Sequence, residues 1–386
     1  MGGAFRSYVK AAWLYVMPPL IALVVVFLNA PLPYGIEKAA EIDPQLTQFA
    51  RLDGVFAPNK EMARAVRYGV DAVRDAEKVM RAPDGSLYAF DEHSQLFRIS
   101  AVDTVSTYEE PFRAERVHSF GYSNGRPVAG DFLPDGRLVF CNVPRGLFIF
   151  DLRTKDFDAI PQQRGVELHF CDDLAVSRNG SRIYVTDAVD YAIEEAHPSI
   201  LLVSLVAGLE GRASGRVLEY DFASSRMRVV ADGFLFANGI ALSPDGSFLV
   251  VSETYASRVH RIWLDGPKAG VREPFGTSLM PGFLDGISRA SDGGYWVAVY
   301  ASQPVTWPVF AQLPRIRHHA MKIPNYVPGA SSHGLIVKLD ANGVATKSLH
   351  DPRCEQVCLI SSVLEHDGKL FFGHVGQSFL SVLSLD

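Results

Sequence analysis

Four oxygen-bearing side chains recur at one phase of a repeated phrase, and as a set they have the chemistry of a hard-cation site. Glu77, Asp172, Asn238 and Asp285 each stand a few residues ahead of a short turn. Three carboxylates brought to a common point repel one another strongly unless a cation sits among them. Oxygen donors without thiolate or imidazole favour Ca²⁺ over zinc or copper. Any one of these residues taken alone reads as a turn cap, because Asp and Asn before a strand commonly serve the backbone. Their shared phase is what makes the set a candidate metal site. Asp285 also has the chemistry of a general base on water, or of a direct nucleophile, beside such a metal. His374 ends a later strand-like run and is a second catalytic candidate at the same mouth, although a structural or rim role suits it better. Asp173 is placed to brace the loop beside Asp172. No G-x-S-x-G elbow occurs, so serine-hydrolase chemistry is not supported.

The element that must position these residues is a repeat. It reads V-M-R-A-P-D-G-S-L-Y-A-F from Val79, D-F-L-P-D-G-R-L-V-F from Asp131 and L-A-V-S-R-N-G-S-R-I-Y-V-T from Leu174. It returns from Ile240, Ile287 and Val363, with turn glycines at Gly85, Gly136, Gly180, Gly246, Gly293 and Gly368. An apolar run, a D-G or N-G turn and a β-branched or aromatic run form a hairpin, with φ > 0 expected at both turn residues. Further strand pairs follow, as in Gly146–Leu152, Gly215–Asp221 and Gly334–Asp340. Two hairpins per repeat make a four-stranded blade, and six repeats predict an all-β, six-bladed β-propeller whose inner strands line the axis. The last repeat ends at Asp386 with room for only part of a blade, so a strand from upstream of Glu77 or just after the first hairpin is expected to close the ring.

Two repeats carry insertions after their second strands, Asp190 to Gly211 and Tyr300 to Ser332, which should therefore share one face. They read equally as lids over an axial pocket or as apolar loops against a bilayer.

Ahead of the repeats, Ala11 to Ile36 contains no charged residue, which is long enough to cross a hydrocarbon layer of about 30 Å. Pro18 and Pro19 would kink it, a distortion that membrane helices tolerate. Arg6 and Lys10 precede it while Glu37, Glu41 and Asp43 follow, so the positive-inside rule puts the N-terminus in the cytosol. Pro31 obstructs cleavage after Asn29-Ala30, which favours an uncleaved signal-anchor over a signal peptide. The expected organisation is a cytosolic N-terminus (1–10), a single-pass transmembrane signal-anchor (11–33), a linker (34–66) and the propeller (67–386). The propeller would lie on the periplasmic or lumenal/extracellular side. Cys141, Cys171, Cys354 and Cys358 lack zinc-site spacing and read as buried free thiols, with Cys354 and Cys358 able to pair if a loop brings them together. Asn179-Gly180-Ser181 is a formal glycosylation acceptor that also reads as a hairpin turn. A net charge of -6 argues against nucleic acid as a partner.

The wording around the candidate ligands resembles a known family. F-C-D-D-L-A-V-S-R-N-G, F-A-N-G-I-A-L-S-P-D-G, P-G-F-L-D-G-I-S-R-A-S-D-G-G-Y-W-V-A and E-H-D-G-K-L-F-F-G are similar to strictosidine synthase-like proteins, including their membrane-associated branch. Those belong with the gluconolactonase/regucalcin, paraoxonase and diisopropyl fluorophosphatase propellers. The resemblance spans about Ala57 to Asp386. It implies that Glu77, Asn238 and Asp285 are calcium ligands, with Asp172 replacing a usual Asn and Gly286 a frequent second Asn. Three carboxylates instead of two imply a more anionic site and tighter calcium. Ser361 stands where plant strictosidine synthase has its catalytic glutamate, so amine–aldehyde condensation is not expected. Val128 stands where the paraoxonases have a histidine. The expected activity is calcium-dependent hydrolysis of a lactone or other carboxylic ester. The alternatives are a non-enzymatic, membrane-tethered binding propeller with a structural calcium, and a synthase drawing a different acid from the 300–332 insertion.

Overall fold

The computed structural model of the chain describes residues 24–101, 112–121, 125–194, 198–277, 279–302, 306–324 and 333–385. It contains six four-stranded antiparallel sheets, one for each phrase in the sequence. The first blade is β2 (Val79–Arg81), β3 (Leu87–Phe90), β4 (Gln95–Ala101) and β5 (Phe112–Ser119), and the second is β6 (Arg126–Phe132), β7 (Leu138–Val143), β8 (Gly146–Phe150) and β9 (Phe157–Ala159). The third is β10 (Cys171–Val176), β11 (Arg182–Asp187), β12 (Gly215–Asp221) and β13 (Arg226–Phe234). The fourth is β14 (Ala237–Leu242), β15 (Phe248–Glu253), β16 (Arg258–Trp263) and β17 (Arg272–Pro274). The fifth is β18 (Gly282–Arg289), β19 (Tyr295–Ser302), β20 (Gly334–Leu339) and β21 (Ala345–Asp351). The sixth begins with β22 (Ile360–His366), β23 (Lys369–His374) and β24 (Leu380–Ser384) and is completed by β1 (Val66–Tyr68) from the other end of the chain. Val66 pairs with Val382 and Tyr68 with Leu380, so the ring is closed by the upstream strand that the short last repeat required.

The hairpin turns differ from the expected two-residue form. The Gly85 N–H donates to the Ala82 carbonyl at 2.9 Å, and the Ala82 N–H donates to the Ser86 carbonyl at 2.8 Å. The same pair of bonds recurs at Leu133–Arg137 and Ala290–Gly294. Only the glycine has positive φ at these sites, as in a tight turn closed by a glycine bulge. At Asp367-Gly368 both residues have positive φ. Pro83 and Pro134 ahead of the acid favour the right-handed turn, leaving the reversal to glycine alone.

Cys141 on β7 and Cys171 at the start of β10 are not free thiols. They form a disulfide between adjacent blades, with Cα atoms 5.3 Å apart, and Cys354 pairs with Cys358. Most of the predicted membrane span, residues 11–23, lies outside the described residues; residues 24–29 are helical. No helix among the described residues is long and apolar enough to cross a membrane. The expected linker packs as short 3-10 turns against the propeller, with Ile36, Ile42, Phe56 and Met62 buried.

Candidate metal centre

Each inner strand from the second blade to the sixth is interrupted by a bulge at the same level. In the third blade Cys171 pairs with Asp187 and Leu174 with Val185, so Asp172 and Asp173 oppose Thr186 alone. In the fourth, Asn238 and Gly239 oppose Ser252, and in the fifth, Asp285 and Gly286 oppose Ala298. The extra residue is Val128 in the second blade and Ser361 in the sixth. A bulge bends the strand and re-aims a side chain. Here it gives one axial position per blade, and Glu77, just ahead of β2, supplies the sixth. Small residues let the strands meet: a Cβ on Gly286 would stand 2.5 Å from the Ser361 carbonyl oxygen.

The ring brings the four predicted ligands within electrostatic reach of one another, and burial dominates their behaviour. Burial raises the Glu77 carboxyl well above its usual range; Arg126 opposes the rise, while Asp285, Asp75 and Asp173 add to it. Asp172 is likewise raised by burial and then by Glu77, Asp285 and Asp173. Asp285 is pushed up to about 8, chiefly by burial, although it accepts hydrogen bonds from the Asn238 side chain and the Gly286 backbone. The Asn238 amide nitrogen also donates to Thr254 Oγ1 at 3.2 Å. Asp172 Oδ2 is buried and has no hydrogen-bond partner among the described residues. An orphaned carboxylate oxygen among mutually repelling acids suits a hard cation with oxygen ligands. As they stand, no three His, Cys, Asp or Glu side chains among the described residues are close enough to grip an ion.

Neighbouring groups fix the ring. Asp173 reaches into the axial channel, where it accepts from Leu174 N at 2.7 Å and Ile240 N at 3.3 Å and is paired with the Lys78 ammonium of the first blade. Asp187 receives the N–H groups of His169 and Phe170 at 2.9 and 2.8 Å, holding the loop that enters β10. Glu253 does the same for Leu235 ahead of β14, at 2.6 Å.

His374 does not reach the mouth. It is fully buried, with Nδ1–H donating to the Cys358 carbonyl at 2.8 Å and Nε2 accepting from Ser381 Oγ at 3.1 Å. Burial lowers its pKa to about 4. Both ring nitrogens serve the sixth blade, so the site is built without it. Ser361 Oγ donates to the Glu77 carbonyl at 2.7 Å.

The structure adds groups that the sequence pattern did not identify. Arg126, buried at the start of β6, is paired with Asp75. Tyr300 is the residue skipped between Ala301 and Val299 where β19 pairs with β18, and burial together with Asp285, Asp75 and Glu77 keeps its phenol protonated. Bulge positions leave no mark in hydrophobic periodicity, so only the second-blade phase could have pointed to Arg126.

Both insertions leave at the ring's end, because Asp187 and Ser302, the last residues of β11 and β19, pair with Cys171 and Gly282 at the starts of β10 and β18. The helix Ile200–Glu210 and the helices Trp307–Phe310 and Pro314–Ala320 form a cap there. Tyr255 joins cap to ring: it donates to the Ser204 carbonyl at 2.6 Å, meets the Phe283 ring edge to face at 5.0 Å and the tilted Trp307 ring at 5.6 Å, and feels the charge of Asp285.

Known proteins share this architecture. The strictosidine synthase family model matches residues 172–267, which hold Asp172 and Asn238. Adipocyte plasma membrane-associated protein from Rattus norvegicus is 28% identical over 366 residues, covering 89% of this chain and 93% of that protein. The Homo sapiens protein of the same name is 30% identical over 373 residues, covering 89% and 84%. Among solved structures, a Xanthomonas campestris gluconolactonase superposes with a TM-score of 0.56 at 16% identity, covering 84% of this chain and 92% of that one. The calcium-binding protein regucalcin from Agrobacterium tumefaciens gives 0.51 at 12% identity, covering 83% and 93%; at such identities these likenesses show the fold. The six-bladed ring and the extent of the match to the human protein together place this chain in the strictosidine synthase-like family, alongside the adipocyte plasma membrane-associated proteins.

Proposed function

We propose that this propeller is a membrane-anchored, calcium-dependent hydrolase of lactones or other carboxylic esters. The observation that carries the reading is the buried ring of Glu77, Asp172 and Asp285, with Asp172 Oδ2 left without a hydrogen-bond partner among the described residues. Glu77, Asp172, Asn238 and Asp285 would hold the ion. When bound, calcium supplies charge that polarises a substrate carbonyl and stabilises a developing oxyanion. Asp285, ionised in that environment, takes the proton of the attacking water. The protonated phenol of Tyr300 beside Asp285 is a hydrogen-bond donor for the substrate. The cap excludes bulk water, and Val128 gives one wall of the mouth an apolar surface.

Ser361 argues against amine–aldehyde condensation, because it has no acid function and its hydroxyl is committed to the Glu77 carbonyl. The names of the solved gluconolactonase and of the calcium-binding regucalcin are in keeping with this substrate class and metal. Hydrolysis of phenyl acetate and of a simple lactone should be measured with calcium and with chelator, for the native chain and for Asp285→Asn. Turnover that needs calcium and is lost in the variant supports the enzyme. An ion that raises the melting temperature without any cleavage makes the propeller a binding module instead.

A further inference from the structure

The segment from 306 to 324 is amphipathic in the wrong sense for a protein face in water. Val309, Leu313, Ile316 and Ile323, on the helices Trp307–Phe310 and Pro314–Ala320 and the turns that join and follow them, are 69%, 40%, 51% and 43% exposed. Trp307, Ala311, Arg317 and Met321 face inward. Arg317 is fully enclosed, donating to the carbonyls of Ala311 at 3.0 Å, Leu209 at 2.6 Å, Glu210 at 3.1 Å and also Ala40. Single exposed apolar residues are ordinary, but a row of them opposite a buried arginine marks a contact surface.

The chain itself indicates what covers this row. Its described N-terminal end lies against it: Lys322 Nζ donates to the Phe27 and Leu28 carbonyls at 3.1 and 2.7 Å, and the Phe27 ring lies 6.1 Å from that of His319. Val24, Val25, Val26 and Leu28 are exposed beside it, and residues 11–23 continue from there without a charged side chain. Between Thr306 and Pro324 there is no Asp or Glu, while Arg315 and Lys322 border the row. An apolar row bordered by Arg315 and Lys322, with no carboxylate along it, matches an acyl boundary beneath phosphate-bearing headgroups.

We propose that this cap face docks on the lipid bilayer, with Val309, Leu313, Ile316 and Ile323 at the depth of the acyl boundary. The proposal rests on reading residues 11–33 as a membrane segment, and it deepens the hydrolase reading. The docked face is the face of the acid ring, so the substrates it implies are lipophilic esters or lactones taken from the membrane rather than from water.

All four native cysteines are paired, so single cysteines can carry an environment-sensitive fluorophore in the full chain. Val309→Cys and Ile316→Cys report on the row. Ala341→Cys, in the turn between β20 and β21 at the opposite end of the ring, is the control. With phosphatidylcholine/phosphatidylserine vesicles, the labels at 309 and 316 should brighten several-fold and be quenched by doxyl-labelled lipids, while that at 341 does not change. If the chain floats with vesicles but all three labels behave alike, docking is wrong and the anchor stands. If the chain does not float, the anchor and the docking proposal fail together. Brightening without vesicles that grows with protein concentration would mean that a second copy covers the row, which overturns the proposal. The double variant Val309→Ser/Ile316→Ser should lose most turnover of a vesicle-borne long-chain ester and keep that of a short soluble one. Equal loss on both, or on neither, contradicts the lipid route, and absence of turnover in the native chain would sink the hydrolase reading alone.

Discussion

Asparagine at position 285 removes one charge from the acid ring with little change in size, and its effect on stability should reverse sign with calcium. In the metal-free protein the Asp285 carboxyl is pushed up to about 8 from an ordinary value of 3.8. At pH 7 the unfolded chain carries this group ionised and the folded chain carries it protonated. Folding must therefore take up a proton across about three pH units, a cost of roughly 4 kcal/mol. Asparagine avoids that cost but disturbs the hydrogen bonds accepted from Asn238 and Gly286, worth about 1–2 kcal/mol together. Asp285→Asn should thus stabilise the chelated protein by about 2–3 kcal/mol, which is about 3–4 °C in melting temperature for a domain of this size. In saturating calcium the variant lacks a charged ligand and should melt below the native protein. Thermal unfolding in chelator and in calcium reads both signs. A variant that melts lower in chelator, or gains as much from calcium as the native chain, would refute the reasoning.

Three further outcomes follow from the same chemistry. Glu77, Asp172 and Asp285 have folded pKa values above their unfolded ones, so the stability they confer is present at low pH and lost as pH rises through the folded values. His350 and His374, both lowered to about 4 by burial, lose theirs as pH falls from 6.5 towards 4. Between pH 6.5 and 8 only the acids act: chelated melting temperatures should fall across that window, and calcium should flatten the trend. Replacing both Cys141 and Cys171 by alanine opens a separation of 30 residues and should cost about 3–4 kcal/mol by denaturant unfolding, against about 2 kcal/mol for the Cys354/Cys358 pair, which spans four. His374→Ala should lower the melting temperature while leaving the pH profile of hydrolysis unchanged, because both ring nitrogens bond within the sixth blade.

The blades were legible because each carries a glycine turn between two apolar runs, a signal local enough to need no partner. The closing strand Val66–Tyr68 was only inferable from a shortage at the other end, since three residues hold no periodicity. Glu77, Asp172, Asn238 and Asp285 were visible through their common phase, but the bulges at Asp172, Asn238 and Asp285 belong to strand pairing and leave no trace in composition. Arg126 and Tyr300 were missed for that reason. Cys141 and Cys171 are 30 residues apart in sequence and meet only because blades two and three are neighbours. The inverted face of 306–324 was hidden as well, because nothing in the sequence says that Arg317 rather than Ile316 points inward.

The central claim is that this ring holds a cation on which ester or lactone cleavage depends. Its most direct test is to titrate calcium into the metal-depleted chain while following bound ion and initial hydrolysis rate together. A saturable site is expected, with the rate rising in step with its occupancy and neither seen in a chain carrying both Glu77→Gln and Asp285→Asn. Cleavage undiminished in chelator, or calcium bound equally by that double variant, would contradict it.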